Sequence, residues 1–464
     1  MKETRHTLSL RLVKLVNVLL MTLPFAGCWY WYYADRIISP FFNKGNWAMV
    51  LLFAVLYAFF ARIYDAFYIS IYRISEVIYS QALTIVVTDG ITFIIIWLLT
   101  RLFPNPLPGL AAMGAQLILA VTWSLMSHWW YFAVNPPVPS AVVYDARPGL
   151  DRLINEYGLH NKFRVERSMQ VEDCLADLST LDDVEIVFLS GVHSHDRNII
   201  LKYCIARGIQ LYVLPRIGDV IMSGAKQMHM FHLPVLRLGR YNPGPEYLFL
   251  KRGFDILISC LMLVLFSPVM LVVAIAIKAN DHGPVLYKQS RLTKNGKEFN
   301  LLKFRSMRVD AEKDGVARLS TGANDDRITS VGRVIRATRM DELPQLFNVL
   351  KGDLSLIGPR PERKAIADEY EKTMPEFHLR LQAKAGLTGY AQVYGKYNTT
   401  PYDKLQMDLM YIAHPSIVED LRILLATIKV LFMPESTEGV EQGQTTAMAE
   451  SGEEDTANVT ETVH

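Results

Sequence analysis

Four apolar runs follow one another in the first third of this chain, at about 15–33, 46–62, 81–103 and 108–134. Each has the length of a membrane-crossing helix or comes close to it. A single such run could be a buried core helix. Four in succession, with tryptophan and tyrosine at their ends, predict a transmembrane four-helix bundle over residues 1–136. The second run is short and needs its flanking aromatics to reach the interface. Asp89 and Gly90 interrupt the third, so either the acid faces other helices or the span is shifted along the sequence. The first run ends in Cys28-Trp29-Tyr30-Trp31-Tyr32-Tyr33, an aromatic girdle without a small-residue cleavage site, and reads as an anchor, not a signal peptide. Lys2, Arg5, Arg11 and Lys14 precede it, whereas Arg36 and Lys44, opposed by Asp35, follow it. The positive-inside rule then puts the N-terminus in the cytosol, and four spans return the chain to that side. With 20% charged residues and a net charge of +2, no strong field points to nucleic acid. The four cysteines, Cys28, Cys174, Cys204 and Cys260, show no metal-ligand spacing and read as reduced structural thiols.

Pro136, Pro137 and Pro139 mark a linker. Beyond it, strands are predicted at 141–144, 184–189 and 209–214, and helices near 148–157, 171–179 and 194–207. That alternation predicts a small Rossmann-like α/β domain, 137–247. Its first turn, Asp145-Ala146-Arg147-Pro148-Gly149, lacks the three glycines that let a backbone approach a pyrophosphate. The domain is therefore expected to be a scaffold or regulatory unit.

A fifth apolar run, 256–277, follows Lys251-Arg252-Gly253-Phe254-Asp255 and ends at Lys278. It is long enough to span, but Ser267-Pro268 sits in its middle, and proline removes a helix hydrogen bond. Basic residues flank both ends, so charge does not choose between a span and a helix that enters and leaves on one side.

After residue 283 the chain turns polar and basic. Two apolar stretches, 285–287 and 299–302, flank Asn295-Gly296 and predict a hairpin. Lys303-Phe304-Arg305-Ser306-Met307 and Arg308 follow, then Arg327, Arg333, Arg336 and Arg339, then Asp341-Glu342. Arg333 and Arg336 are three apart and share a helix face. Guanidinium forks grip phosphate oxygens at any working pH, although a basic surface beside a membrane also binds lipid headgroups. Adjacent carboxylates on a helix diverge by about 100°, so one can be a nucleophile while the other serves a metal or a proton. Alone, the pair would be an ordinary surface feature; among Lys303, Arg305, Arg336 and Arg360 it suggests phosphoryl chemistry.

Four signatures in this order carry a family resemblance: Lys303-Phe304-Arg305-Ser306-Met307, Asp341-Glu342-Leu343-Pro344-Gln345-Leu346, Gly358-Pro359-Arg360-Pro361 and Gly386-Leu387-Thr388-Gly389-Tyr390-Ala391-Gln392-Val393. The segment 249–433 resembles the polyprenyl-phosphate hexose-1-phosphate transferases, the bacterial sugar transferase family. The four-span start and degenerate Rossmann-like domain resemble its large members. The resemblance implies a mainly α catalytic domain, 248–433, with a re-entrant membrane helix, 254–278, broken at Ser267-Pro268. It implies that Asp341 forms a covalent phospho-sugar intermediate beside Glu342, with Asp341 and Glu342 the candidate Mg²⁺ ligands. Lys303, Arg305, Arg336, Arg360 and Gln392 become the candidate phosphate- or nucleotide-binding residues. The implied substrates are a UDP-hexose, with glucose or galactose the leading sugars, and undecaprenyl phosphate. The implied place is the bacterial inner membrane with the catalytic domain facing the cytosol, in exopolysaccharide or capsule synthesis. Two departures stand out: Ala385 replaces a usual proline, and Lys396 a common arginine, which keeps charge without the bidentate fork.

Two other readings compete. A membrane-anchored nucleotide-sugar dehydratase would need an intact glycine-rich fingerprint and a Tyr-x-x-x-Lys pair; Tyr287, Tyr390 and Tyr397 are followed four residues on by Arg291, Tyr394 and Pro401. A non-enzymatic scaffold of polysaccharide assembly is permitted by the four spans and the arginines. A homodimer through the bundle or the Rossmann-like domain, and contact with downstream glycosyltransferases, are compatible with the sequence. Residues 434–464 carry Glu453-Glu454-Asp455 and no lysine or arginine, and read as a disordered acidic tail.

Overall fold

A computed structural model describes residues 2–42, 44–308, 327–395 and 399–431. Lys396 and the acidic tail lie outside the described residues. By contact the chain divides into residues 1–214 and residues 215 onward.

The first unit opens with α1 (Lys2–Cys28), which runs into one π-helical turn, Trp29–Tyr33, followed by α2 (Lys44–Ile63), α3 (Ile74–Thr100) and α4 (Leu107–Val134). All four are long and apolar enough to cross a membrane. The third starts at Ile74, before the apolar run, and Asp89 and Gly90 lie inside it without breaking it. The bundle interior is aromatic at Phe25, Trp29, Phe53 and Tyr57, but it also holds a polar relay. Tyr57 Oη donates to Asn17 Oδ1 at 2.9 Å, Asn17 Nδ2 to Gln81 Oε1 at 3.1 Å, and Gln81 Nε2 to the Ala66 carbonyl at 3.2 Å. With no water available in hydrocarbon, such groups must satisfy one another, and this ties α1, α2 and α3 together.

The remainder of this unit contains β1 (Val138–Tyr144), α5 (Leu150–Glu156), β2 (Phe163–Gln170), α6 (Val171–Ala176), β3 (Ile186–Ser190), α7 (Ser194–Arg207) and β4 (Gln210–Leu214). The strands form one parallel sheet in the order β2-β1-β3-β4. Three strands and the helices between them were anticipated. The edge strand β2 was not, because Phe163-Arg164-Val165-Glu166-Arg167-Ser168 pairs on one side only and keeps its polar residues exposed.

The second unit contains α8 (Ile217–Ser223), β5 (Lys226–Met230), β6 (Leu233–Arg237), α9 (Pro245–Asp281), β7 (Leu286–Leu292), β8 (Glu298–Phe304), α10 (Ser330–Ala337), α11 (Gln345–Lys351), β9 (Ser355–Ile357), α12 (Lys364–Thr373), β10 (Gly386–Thr388), α13 (Tyr390–Tyr394), α14 (Pro401–Ala413) and α15 (Ile417–Leu431). Residues 215–247 were assigned from the sequence to the α/β domain, yet Ile217 and Val220 pack with Leu346, Val349, Leu354, Leu405 and Leu409 in the core of this second unit.

The fifth apolar run lies within α9, a single 37-residue helix that is not interrupted at Ser267-Pro268. The reason is local. Pro268 cannot donate to the Val264 carbonyl four residues earlier, but the Ser267 hydroxyl donates to it instead at 2.8 Å. Leu257, Leu261, Val264, Leu265, Leu271, Val272 and Ile275 leave most of their surface uncovered, an apolar face suited to lipid. The charged residues before it fasten α9 to the second unit. Arg252 donates to the Val349 and Leu350 carbonyls, both at 2.7 Å, at the C-terminus of α11, where a cation offsets the helix dipole. Asp255 accepts from Ser355 Oγ at 2.9 Å and from the Leu356 N–H at 3.0 Å on β9. Lys251 pairs with Asp420 at 2.9 Å beside Tyr247 and Tyr411.

Candidate active site

The site assembles around the turn between α10 and α11. Arg336 and Arg333 lie on α10, whose N-cap, Thr329, accepts from the Gly332 N–H. After α10 ends, Arg339 takes a left-handed conformation, φ 53°, which a side chain other than glycine adopts at a cost of roughly 1–2 kcal/mol. One 3₁₀ turn, Met340–Glu342, then carries both carboxylates. The dyad therefore does not sit on an α-helix as anticipated. Pro344 stands at the start of α11, whose side chains Leu346 and Val349 are buried. The turn is thus pinned at both ends, and Asp341 is buried within it.

Lys303 reaches the dyad from β8. The hairpin forms as its Asn-Gly signal implied, with Leu292 opposite Glu298 and both Asn295 and Gly296 at positive φ. The placement of β8 is fixed by Asn348 of α11. Its Oδ1 accepts from the Leu302 N–H at 2.9 Å and its Nδ2 donates to the Asn300 carbonyl at 2.8 Å, so one side chain stands in for a neighbouring strand. Lys303 Nζ then meets Glu342 Oε1 at 2.9 Å. Arg360 Nη2 approaches the same oxygen to 3.7 Å.

The two carboxylates have opposed environments. Burial pushes Asp341 up to about 6, helped by the Glu342 charge and resisted by Lys303 and Arg336. Burial would also raise Glu342, but Lys303 and Arg360 outweigh it and hold this carboxyl down at about 2. Glu342 thus favours the ionised form, while burial holds the Asp341 carboxyl above its ordinary value.

Asp341, Glu342, Lys303, Arg336 and Arg360 are thereby brought together. Arg305 goes elsewhere: it is buried, pairs with Asp281 at the end of α9, and lies where a Gly283 side chain would have to be. Gln392 Nε2 donates to the Leu387 carbonyl at 3.0 Å, and its Oε1 is shut from water without a hydrogen-bond partner. Ser267 and Pro268 belong to α9. Among the described residues no group of three or more His, Cys, Asp or Glu side chains converges on a metal position; the donor set at the site is the pair of dyad carboxylates.

The glycine-rich signatures bring two short strands backbone against backbone. β9 and β10 pair in parallel, with Gly386 opposite Ser355 and Thr388 opposite Ile357. A methyl group on Gly386 would stand 2.1 Å from the Gly358 nitrogen, and one on Gly358 2.3 Å from the Lys384 carbonyl oxygen. These glycines are explained by contact between backbones. The departure at Ala385 is explained as well: its N–H donates to Thr293 Oγ1 at 3.2 Å in a buried position, a bond proline cannot make. Ala385→Pro is expected to lower stability by about 1–2 kcal/mol, seen as a fall in thermal midpoint of roughly 2–8 °C; an unchanged midpoint would show that this bond carries no weight.

Sequence reasoning missed Asn348, Arg252 and Asp255. The last two stand three apart in a helix entering an apolar run, and that spacing was an available signal. Asn348 gave none, since its partners are backbone atoms of a distant strand.

The segment that holds the site is matched by known proteins. The model of the family described as bacterial sugar transferase matches residues 246–434. The chain is 39% identical over 234 residues to a UDP-N-acetylgalactosamine-undecaprenyl-phosphate N-acetylgalactosaminephosphotransferase of Aeromonas hydrophila, covering 50% of this chain and 54% of the relative. It is 42% identical over 186 residues to a UDP-glucose:undecaprenyl-phosphate glucose-1-phosphate transferase of Caulobacter vibrioides, covering 39% and 69%. It is 43% identical over 190 residues to the exopolysaccharide production protein PSS of Rhizobium leguminosarum bv. phaseoli, covering 39% and 94%. The chain spans about half the length of the first of these relatives. With its four signatures inside the matched segment and its apolar helices, this membrane protein belongs to the bacterial sugar transferase family.

Proposed function

We propose that the protein transfers a hexose-1-phosphate from a UDP-hexose to undecaprenyl phosphate, releasing UMP and forming undecaprenyl-diphosphate-hexose. The observation that carries this is the pairing of a buried Asp341, whose carboxyl burial raises, with a Glu342 held anionic by Lys303 and Arg360. An Asp341 oxygen attacks the phosphorus that bears the sugar. The new bond is O–P; the bond that breaks joins this phosphorus to the bridging oxygen, whose electron pair leaves with UMP. The acceptor phosphate oxygen then attacks the same phosphorus and frees the aspartate. Arg336 and Arg360 offset the repulsion between a carboxylate and a polyanion, and Lys303 holds Glu342 in place. The two substrates occupy different phases, and a covalent intermediate lets them react in turn.

Mg²⁺ is commonly held by one or two carboxylates together with substrate phosphate oxygens, and the dyad supplies such a pair. Asp341 and Glu342 would hold the ion, which would neutralise developing charge on the diphosphate. We place the catalytic unit on the cytosolic face of the bacterial inner membrane, where UDP-sugars are found. The relatives' names include N-acetylgalactosamine and glucose, so the sugar is to be measured.

The test is release of UMP from a panel of UDP-sugars by the protein in nanodiscs, with Mg²⁺ and undecaprenyl phosphate. Release of UDP in place of UMP would contradict the reaction, and no turnover by folded protein would favour a non-enzymatic scaffold. A pH dependence follows. Asp341 must be ionised to attack, so kcat/KM should fall about tenfold per pH unit below about 6 and level off above it. A flat profile between pH 5 and 8 would remove Asp341 as the group that limits attack.

A further inference from the structure

The turn that carries Arg360 contains Pro359 and Pro361, neither of which has a backbone N–H to donate. Its carbonyls are nonetheless gripped one after another. The Gly386 N–H donates to the Pro359 carbonyl at 2.9 Å and Arg380 Nη2 to the Arg360 carbonyl at 2.9 Å. Arg291 Nη1 donates to the Pro361 carbonyl at 3.0 Å and the Leu292 N–H to the Glu362 carbonyl at 2.9 Å. Two of these four donors are guanidinium groups largely shut from water, and acids fix both. Arg380, 5% exposed, pairs with Asp408, 1% exposed, at 2.6 Å and lies 3.9 Å from Glu362. Arg291 lies 3.5 Å from Glu362 and donates to Gln289 Oε1 at 2.9 and 2.6 Å.

Buried ion pairs of this kind rarely add net stability over apolar residues of the same size, because removing the charges from water offsets their attraction. What they supply is geometry. Here all of it converges on one backbone turn, and the side chain that turn presents, Arg360, has 42% of its surface free and faces Glu342. We propose that Asp408, Arg380, Glu362 and Arg291 are positioning residues that fix the backbone of the Gly358–Glu362 turn, so that the Arg360 guanidinium is held ready for the donor's diphosphate. Asp408 orients Arg380, Arg380 holds the carbonyl of Arg360, and only the side-chain torsions of Arg360 remain to be ordered when substrate binds, which lowers the entropic barrier to the transition state. That aim rests on the reaction proposed above; the fixing of the turn does not.

The experiment uses the full chain in nanodiscs and combines Arg380→Lys or Asp408→Asn with Arg360→Ala. In the first arm, UMP release is measured with whichever UDP-hexose the unmodified protein turns over. Arg380→Lys should lower kcat/KM about tenfold when Arg360 is present, chiefly in kcat, and less than about twofold in the Arg360→Ala background. In the second arm, amide hydrogen exchange is followed at Leu292 and Gly386, whose N–H groups bond to the carbonyls of the turn. Both should exchange about tenfold faster in Arg380→Lys, while the Leu302 amide, bonded to Asn348, keeps its rate. Equal activity losses in both backgrounds would reduce Arg380 to a general structural residue, and unchanged exchange would overturn the fixing of the turn. If the unmodified protein releases no UMP, the reaction fails and the exchange arm alone decides. If Arg380→Lys does not fold, Asp408→Asn, which keeps size and removes only the charge, carries both arms.

Discussion

Asp341→Asn is expected to abolish UMP release, by at least about 10³-fold, while making the protein more stable. An amide has no charge with which to attack phosphorus, so the first half of the reaction stops. The stability gain follows from linkage. The folded protein raises the Asp341 carboxyl to about 6, above its value in an unfolded chain, so the ionised form opposes folding above that pH and the neutral form does not. The penalty is fully present at pH 8 and is relieved as pH falls through about 6. Removing the charge should therefore add roughly 1–3 kcal/mol at pH 8 and about a third of that at pH 4.5. Denaturation of both forms at the two pH values checks this. A variant that is inactive and also less stable at pH 8 would mean that Asp341 is a structural partner of Lys303 and Arg336.

Gly386→Ala is expected to have the largest effect on stability. The added methyl group would fall 2.1 Å from the Gly358 nitrogen, 2.6 Å from the Gly358 oxygen and 2.5 Å from the Thr388 oxygen, all of them backbone atoms. No side chain can rotate away, so β9 and β10 must separate. The hydrogen bonds from the Gly386 N–H to the Pro359 carbonyl and from the Gly358 N–H to the Thr388 carbonyl, each 2.9 Å, go with them. A loss of about 3 kcal/mol or more is anticipated, together with loss of activity, because the turn bearing Arg360 moves. Gly90→Ala on α3 is the matched control: nothing lies within 4 Å of the added methyl, and in a helix interior alanine should be neutral or stabilising. Equal thermal midpoints for Gly386→Ala and the unmodified protein would show that the two strands yield easily.

The features legible in the sequence were those set by local chemistry. Asn295-Gly296 specified a hairpin because both residues tolerate positive φ, and that hairpin delivers Lys303. The membrane helices declared themselves by length and composition. Lys303, Arg336 and Arg360 were legible as anion-binding candidates from charge types and signatures, and their charges lie beside Asp341-Glu342. Contacts between segments far apart in sequence were not legible. Arg305 looked like a phosphate ligand beside Lys303, yet Asp281 occupies it. Ser267-Pro268 looked like a break, yet a hydroxyl replaces the missing N–H. Asn348, Arg380 and Asp408 carry no local pattern, since each is defined by a partner 20 or more residues away.

The central claim is the covalent use of Asp341, and it can be tested without the lipid acceptor. Protein in nanodiscs lacking undecaprenyl phosphate is mixed with Mg²⁺ and the UDP-hexose it turns over, quenched, digested and examined by mass spectrometry. The account predicts about one UMP released per active site, with a hexose-phosphate adduct on the peptide containing Asp341 that disappears when acceptor is added. Turnover that requires acceptor for any UMP release, with that peptide unmodified throughout, would contradict it and point to direct transfer between the two substrates.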